Sequence, residues 1–210
     1  MNLLQKCIYN FEKLLPLRYR FHIAHKRVVT EILLDFNKSD FKHLVGLQYL
    51  RDIAMPRNSS KVYDTIKNKK LTFDMIQRSP FFEKVDDSYA SVKQRMTYFP
   101  LLNEFIESEN VILRYIKKKN PYSKIDADYV IESTLYDVTV YIFLRKRHAQ
   151  DINSPYAVVS FFVKNKVTYK GEVRYWLLKE KIDEENYVKT LYQKEGYESK
   201  KIVDTNQFFW

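Results

Sequence analysis

The chain has 210 residues, 36 Lys and Arg against 26 Asp and Glu, a formal charge of +10, one Cys and three Gly. A chain of this length suits one domain, residues 1–210, that buries about 70% of its unfolded surface without staples. The lone Cys7 excludes a disulfide framework and Cys-based zinc, three glycines exclude Walker and Rossmann phosphate loops, and 45% hydrophobic with 16% aromatic residues exclude disorder.

Leu3, Leu4, Cys7, Ile8, Phe11, Leu14 and Leu15 recur at helical spacing until Pro16, which predicts a first amphipathic helix with Cys7 as a core hydrophobe. Nothing here has the continuous apolar run of a signal peptide, and no window reaches membrane length, so a cytoplasmic protein with no membrane partner is expected. Residues 19–36 read as a hairpin with a basic turn at His25-Lys26-Arg27. Ser39 as N-cap and Asp40 in the first turn predict a helix over 40–53, ended by Met55-Pro56. Residues 59–107 read as a helical insert: Val62, Thr65 and Ile66 share one face, Val85, Tyr89, Val92 and Met96 another, with Pro80 and Pro100 at starts or kinks. Strand-length runs at 111–116, 127–134, 136–145, 156–164 and 174–178 then predict an antiparallel sheet core over 110–180. The fold class is α+β, with N-terminal and central helices packed on an antiparallel β-meander.

Metal chemistry finds little support in the residues. His22 and His25 are three apart in a predicted strand, which sends their rings to opposite faces, and Asp126 and Asp128 have no Glu-x-Lys partner in a following strand. Neither a metal ligand set nor a cofactor is expected. His43 is the informative position, because Phe41, Leu44 and Val45 form a core face and leave His43, Gly46, Leu47 and Leu50 along its border. Gly46 within a helix costs about 1 kcal/mol against Ala, so something approaches its backbone, which is either a helix-sheet contact or a ligand. A cationic constellation follows: Arg114, Lys117, Lys118, Lys119 and Lys124 near one strand end, and Arg145, Lys146, Arg147 and His148 at another. If those strands neighbour each other, the cations form a phosphate-binding rim with Tyr115, Tyr122, Tyr129 and Tyr141 available for base stacking; otherwise they are a solvated face. Ser160 interrupts the apolar run from Tyr156 to Phe162, where its hydroxyl meets either a backbone group or a ligand.

Phe41-Lys42-His43-Leu44-Val45-Gly46-Leu47, Lys124-Ile125-Asp126-Ala127-Asp128-Tyr129-Val130, Tyr141-Ile142-Phe143-Leu144 and Ser160-Phe161-Phe162 resemble, in that order, the fourth group of the phage barnase-EndoU-colicin-RelE-like nucleases. The resemblance spans roughly residues 19–170. It implies a barnase-like fold, helices on a small antiparallel sheet, and RNA cleavage without metal. It implies His43 as general base or acid, Lys124 and Arg145 as holders of the scissile phosphate, and Ser160 as the group orienting a phosphate oxygen or the 2′-hydroxyl. Arg95 and Tyr129 are the nearest choices for a second acid-base residue, and Arg95, Lys117, Lys118, Lys119, Tyr129, Lys146 and Arg147 for RNA contacts. The hairpin 19–36 and the insert 59–107 exceed a minimal domain of this kind and read as substrate-gripping or partner-binding additions.

The function expected is therefore a metal-independent ribonuclease that cuts RNA by 2′-hydroxyl attack, of phage or mobile-element type, restrained by an acidic inhibitor, strict substrate choice or packaging for delivery, with RNA and an acidic inhibitor or host protein as its expected partners. The alternative is a non-catalytic nucleic-acid-binding or host- and defence-modulating protein, which the charge of +10 fits equally well.

Overall fold

In a computed structural model, which describes residues 1–85 and 90–199, the strands wrap into a barrel and the helices share one hydrophobic core with one face of it. Helix α1 (Leu3–Leu14) begins at a capping box in which Asn2 and Gln5 satisfy each other's backbone N–H, and it buries Leu4, Cys7, Ile8, Phe11 and Leu14. Strands β1 (Arg18–His25) and β2 (Val28–Leu34) form the expected hairpin, turned by Lys26 and Arg27 in left-handed backbone. One-turn α2 (Phe41–Leu44) follows, then helices α3 (Ser59–Lys67), α4 (Phe73–Gln77), α5 (Val92–Tyr98) and α6 (Leu102–Glu107). Strands β3 (Asn110–Tyr115), β4 (Tyr129–Leu135), β5 (Val138–Lys146), β6 (Tyr156–Val163), β7 (Gly171–Ile182) and β8 (Val188–Gln193) complete the chain.

The α+β class stands, but the sheet is a closed barrel and not a simple meander. Its order is β1-β2-β6-β5-β4-β3-β7, and β7 returns to pair with β1 from Arg18↔Ile182 to Ala24↔Tyr175, so seven strands close on themselves and β8 hangs from the far edge of β7. The hairpin β1–β2 is thus part of the barrel wall, which corrects its reading as an addition. Likewise Val62, Ile66, Met96, Phe99 and Phe105 from the helical stretch share one core with Leu4, Phe21, Ile142 and Phe161. Alternate residues of β4, β5 and β6 face the other way, where Val130, Tyr141, Phe143 and Phe162 pack with Tyr115 and Tyr169 in a second cluster.

The helix expected over 40–53 ends early. Gly46 takes φ +81°, a left-handed conformation that stops α2 after one turn, and a Cβ there would lie 2.6 Å from the Arg95 Cδ. The close approach inferred at Gly46 is real, and it comes from a side chain. Leu47 and Leu50 are buried and His43 exposed, so the border reading holds for His43 alone. Val85 is exposed and outside α5, while Tyr89 lies outside the described residues. β7 is far longer than the run 174–178, and β8 was not foreseen because five of its six residues are exposed and offer no apolar alternation. No helix among the described residues is long and apolar enough to cross a membrane.

Candidate active-site cleft

A cleft of about 720 Å³ opens where α2, the β3–β4 connection and the ends of β5 and β6 meet. His43, Lys124, Arg145 and Ser160 all line it, as do Lys146, Arg147 and His148. Each is placed by a local device. His43 sits in the only turn of α2, which Gly46 terminates. Lys124 lies in an irregular stretch pinned by the buried Asn120, whose amide donates to the carbonyls of Ile116 and Lys170 at 2.8 Å and accepts from the Lys170 N–H at 2.8 Å. Arg145, one residue before the end of β5, pairs with Ala157. The β5–β6 register shifts between Phe143↔Ser160 and Leu144↔Val158, so Val159 is an extra residue, a bulge beside Ser160 where the strand meets the cleft.

Charge in the cleft divides into committed and available groups. The Arg147 guanidinium donates to Asp35 at 2.5 Å and to both Asp40 carboxylate oxygens at 3.0 and 2.6 Å, with its side chain only 15% exposed. This pairing ties the end of β2 and the start of α2 to the end of β5, and it replaces the RNA contact expected of Arg147. Arg145 pairs with Asp126 at 3.1 Å, but both side chains are open to solvent, so the bridge is weak and exchangeable for a phosphate. Partial desolvation at the cleft wall, then the charge of Lys42, push the His43 pKa below its ordinary 6.5; Asp40 opposes them and Arg145 adds to them. The ring is exposed by area yet close enough to these groups to feel their fields.

Other expected contacts lie elsewhere. Arg95 is fully buried, donates to the Phe161 carbonyl on β6 at 2.6 Å and lies against the Tyr49 and Phe162 rings, so it is a packing residue and not an RNA contact or proton donor. Tyr129 is buried beneath the Arg114 guanidinium, which itself bonds Asp128; Tyr115 and Tyr141 are buried in the second cluster, and of the four candidate stacking tyrosines only Tyr122 is exposed. The Lys117 ammonium binds the Ser123 and Ile125 carbonyls, a loop clasp in place of an RNA contact. Lys118 and Lys119 are exposed but do not line the cleft. Lys146 does line it, with its ammonium on the Ile152 carbonyl at 2.7 Å.

His22 is not oriented for metal: its two nitrogens meet the Tyr197 hydroxyl and Glu31, each at 2.9 Å. Asp126 and Asp128 precede β4, where they meet Arg145 and Arg114 and share no strand face. Among the described residues no three His, Cys, Asp or Glu side chains cluster to hold a metal. Sequence reasoning missed the Asp35–Arg147–Asp40 clamp, since Asp35 and Arg147 stand 112 positions apart and no spacing links them. It also missed Gln48 and Tyr49 in the cleft wall, because they were read as part of a longer helix.

No curated protein and no solved structure matches the chain. A family model does, that of the phage-Barnase-EndoU-ColicinE5/D-RelE like nuclease 4 family, over residues 3–196. That span takes in the barrel, the helices and every residue of the cleft, and the chain belongs to this family of phage-type nucleases, whose substrates are nucleic acids.

Proposed function

We propose that the protein is a metal-independent ribonuclease whose cleft activates the 2′-hydroxyl of its own substrate. The observation that carries this reading is the meeting of an imidazole, His43, with Arg145, Lys124 and Ser160 around one open cleft. Neutral His43 takes the proton of the 2′-hydroxyl, whose oxygen bonds to the adjacent phosphorus as the bond from phosphorus to the 5′-oxygen breaks. Arg145 and Lys124 balance the charge that grows on the phosphoryl oxygens, and the Ser160 hydroxyl donates to one of them. His148, the second imidazole lining the cleft, supplies the proton that the departing 5′-oxygen needs. It takes the place of Arg95 and Tyr129, which are buried away from solvent. The products are a 2′,3′-cyclic phosphate and a free 5′-hydroxyl.

The test is incubation with total RNA in excess chelator, with the fragment ends mapped. Wild-type protein leaves cyclic-phosphate ends, and His43→Ala lowers kcat about a hundred- to ten-thousandfold while RNA binding persists. Intact RNA with retained binding would instead support a non-catalytic nucleic-acid-binding protein. Cleavage that needs added metal would overturn the proposed chemistry.

A further inference from the structure

A second cavity, of about 570 Å³, adjoins the cleft, and Gln48, Tyr49 and Lys124 line both. Its outer walls carry Arg51, Phe81 and Lys84. Among the described residues that line it none is acidic, so it presents three cations, two aromatic rings and an amide. The walls are built, not incidental. The buried Ser79 hydroxyl donates to Asp52 at 2.6 Å and accepts from the Phe81 N–H at 3.2 Å, which ties the turn bearing Arg51 to the loop bearing Phe81. Lys84 holds its ammonium 5.6 Å from the centre of the Phe81 ring, and Tyr49 has the Arg95 guanidinium 5.1 Å from its own. Among the described residues the Gln48 amide is weakly used by the fold: its buried oxygen has no partner, and its nitrogen donates to the His43 carbonyl at 3.5 Å.

We infer that this second cavity is a flanking-nucleotide subsite, which receives the next base and phosphate of a single strand threaded through the cleft. The inference rests on the proposed reading of the cleft as a site for an RNA strand. A base stacks on Phe81 or Tyr49, the Gln48 amide N–H donates to its edge, and Arg51 and Lys84 take the following phosphate. Lys124, shared by both cavities, sits at the junction where one phosphate leads to the next. Such a subsite grips any single strand through its backbone and ring faces, so it favours longer substrates over a particular base.

The experiment measures binding of fluorescent 2′-O-methyl oligoribonucleotides, which cannot be cleaved, to the wild type and to the R51A/K84A and Phe81→Leu variants. Arg51 and Lys84 are exposed, so the double variant keeps the fold. The wild type is expected to bind a hexanucleotide at least about tenfold tighter than a dinucleotide, and R51A/K84A to lose about that gain while dinucleotide affinity stays within about twofold. The slope of log affinity against log salt falls by about 0.7 in the double variant, the value for one phosphate contact to a single strand. Phe81→Leu weakens the hexanucleotide several-fold at an unchanged salt slope. Equal affinity for the two lengths in the wild type, or an R51A/K84A variant that binds like wild type, overturns the subsite. The ribonuclease reading fails separately, by intact RNA in chelator from a protein that still shows the length gain.

Discussion

The barrel has two seams of unequal make. At one, β1 and β7 pair antiparallel over seven register positions, backed by Phe21, which packs edge-on to Trp176 at 5.3 Å and stacks on Tyr19 at 5.9 Å. At the other, β2 and β6 run parallel and share one register pair, Leu34↔Tyr156, with a single further backbone bond from the Asp35 N–H to the Tyr156 carbonyl. Beyond that point the β6 edge is covered by α5, whose Arg95 takes up the Phe161 carbonyl, and by α2. The Asp35–Arg147–Asp40 clamp bridges the same gap. One seam is held by a ladder, the other by charges and helices, and the cleft opens at the second. A ladder fills the space between two strands with backbone, whereas side-chain clasps leave room for a substrate between them.

The contrast can be broken from either side. Phe21→Ala at the laddered seam should cost about 4 kcal/mol in chemical denaturation while the surviving folded protein keeps its kcat, because Phe21 is buried and does not line the cleft. Arg147→Ala at the clasped seam should cost less, about 2 kcal/mol, since the pair is partly exposed. Its activity should nonetheless fall further than that of Phe21→Ala, as α2 carries His43 away from Arg145. Equal loss of turnover in the two variants would show that the seams are mechanically equivalent.

The smallest effect sharpens the electrostatic side. Lys42→Gln removes a charge that depresses His43, so the imidazole pKa, followed by NMR titration, should move up toward 6.5. With His43 as base, the acidic limb of kcat/KM in the wild type lies below pH 6.5 and shifts upward with it. The same depression makes stability from this group fully present above pH 6.5 and lost as pH falls through 6.5 toward the lowered folded value. An unmoved His43 titration would assign the depression to desolvation and Arg145 and not to Lys42.

Local periodicity made α1, the β1–β2 hairpin and strands β3 to β6 legible, because each buries one face along a regular spacing. Closure was not legible, since the pairing of Arg20 with Glu180 joins residues 160 positions apart and depends on the accumulated twist of the sheet. His43 stood out because Gly46 broke the pattern beside it, though the glycine serves a left-handed turn against Arg95 and not the middle of a helix. Arg95 and Tyr129 were misread for one reason: charge and phenol were equated with exposure. Arg95 instead covers a strand edge, and Tyr129 lies under Arg114. Tyr115 and Tyr141 looked available for stacking because nothing in the sequence announced that Tyr169 folds back over that face of the sheet.

The two tight hairpin turns, Lys26-Arg27 and Tyr136-Asp137, place all four residues at positive φ, in a chain that has only three glycines. L residues in that conformation cost about 1 kcal/mol or more each relative to glycine or asparagine. Neither turn lines the cleft. The molecule therefore holds an unused reserve for engineering: Asn-Gly at residues 26 and 27 should raise the midpoint of thermal unfolding by several degrees, about 2 kcal/mol, with turnover unchanged. Stability and activity can be adjusted at opposite ends of the same strands, which makes this chain a scaffold that tolerates hardening before its chemistry is altered.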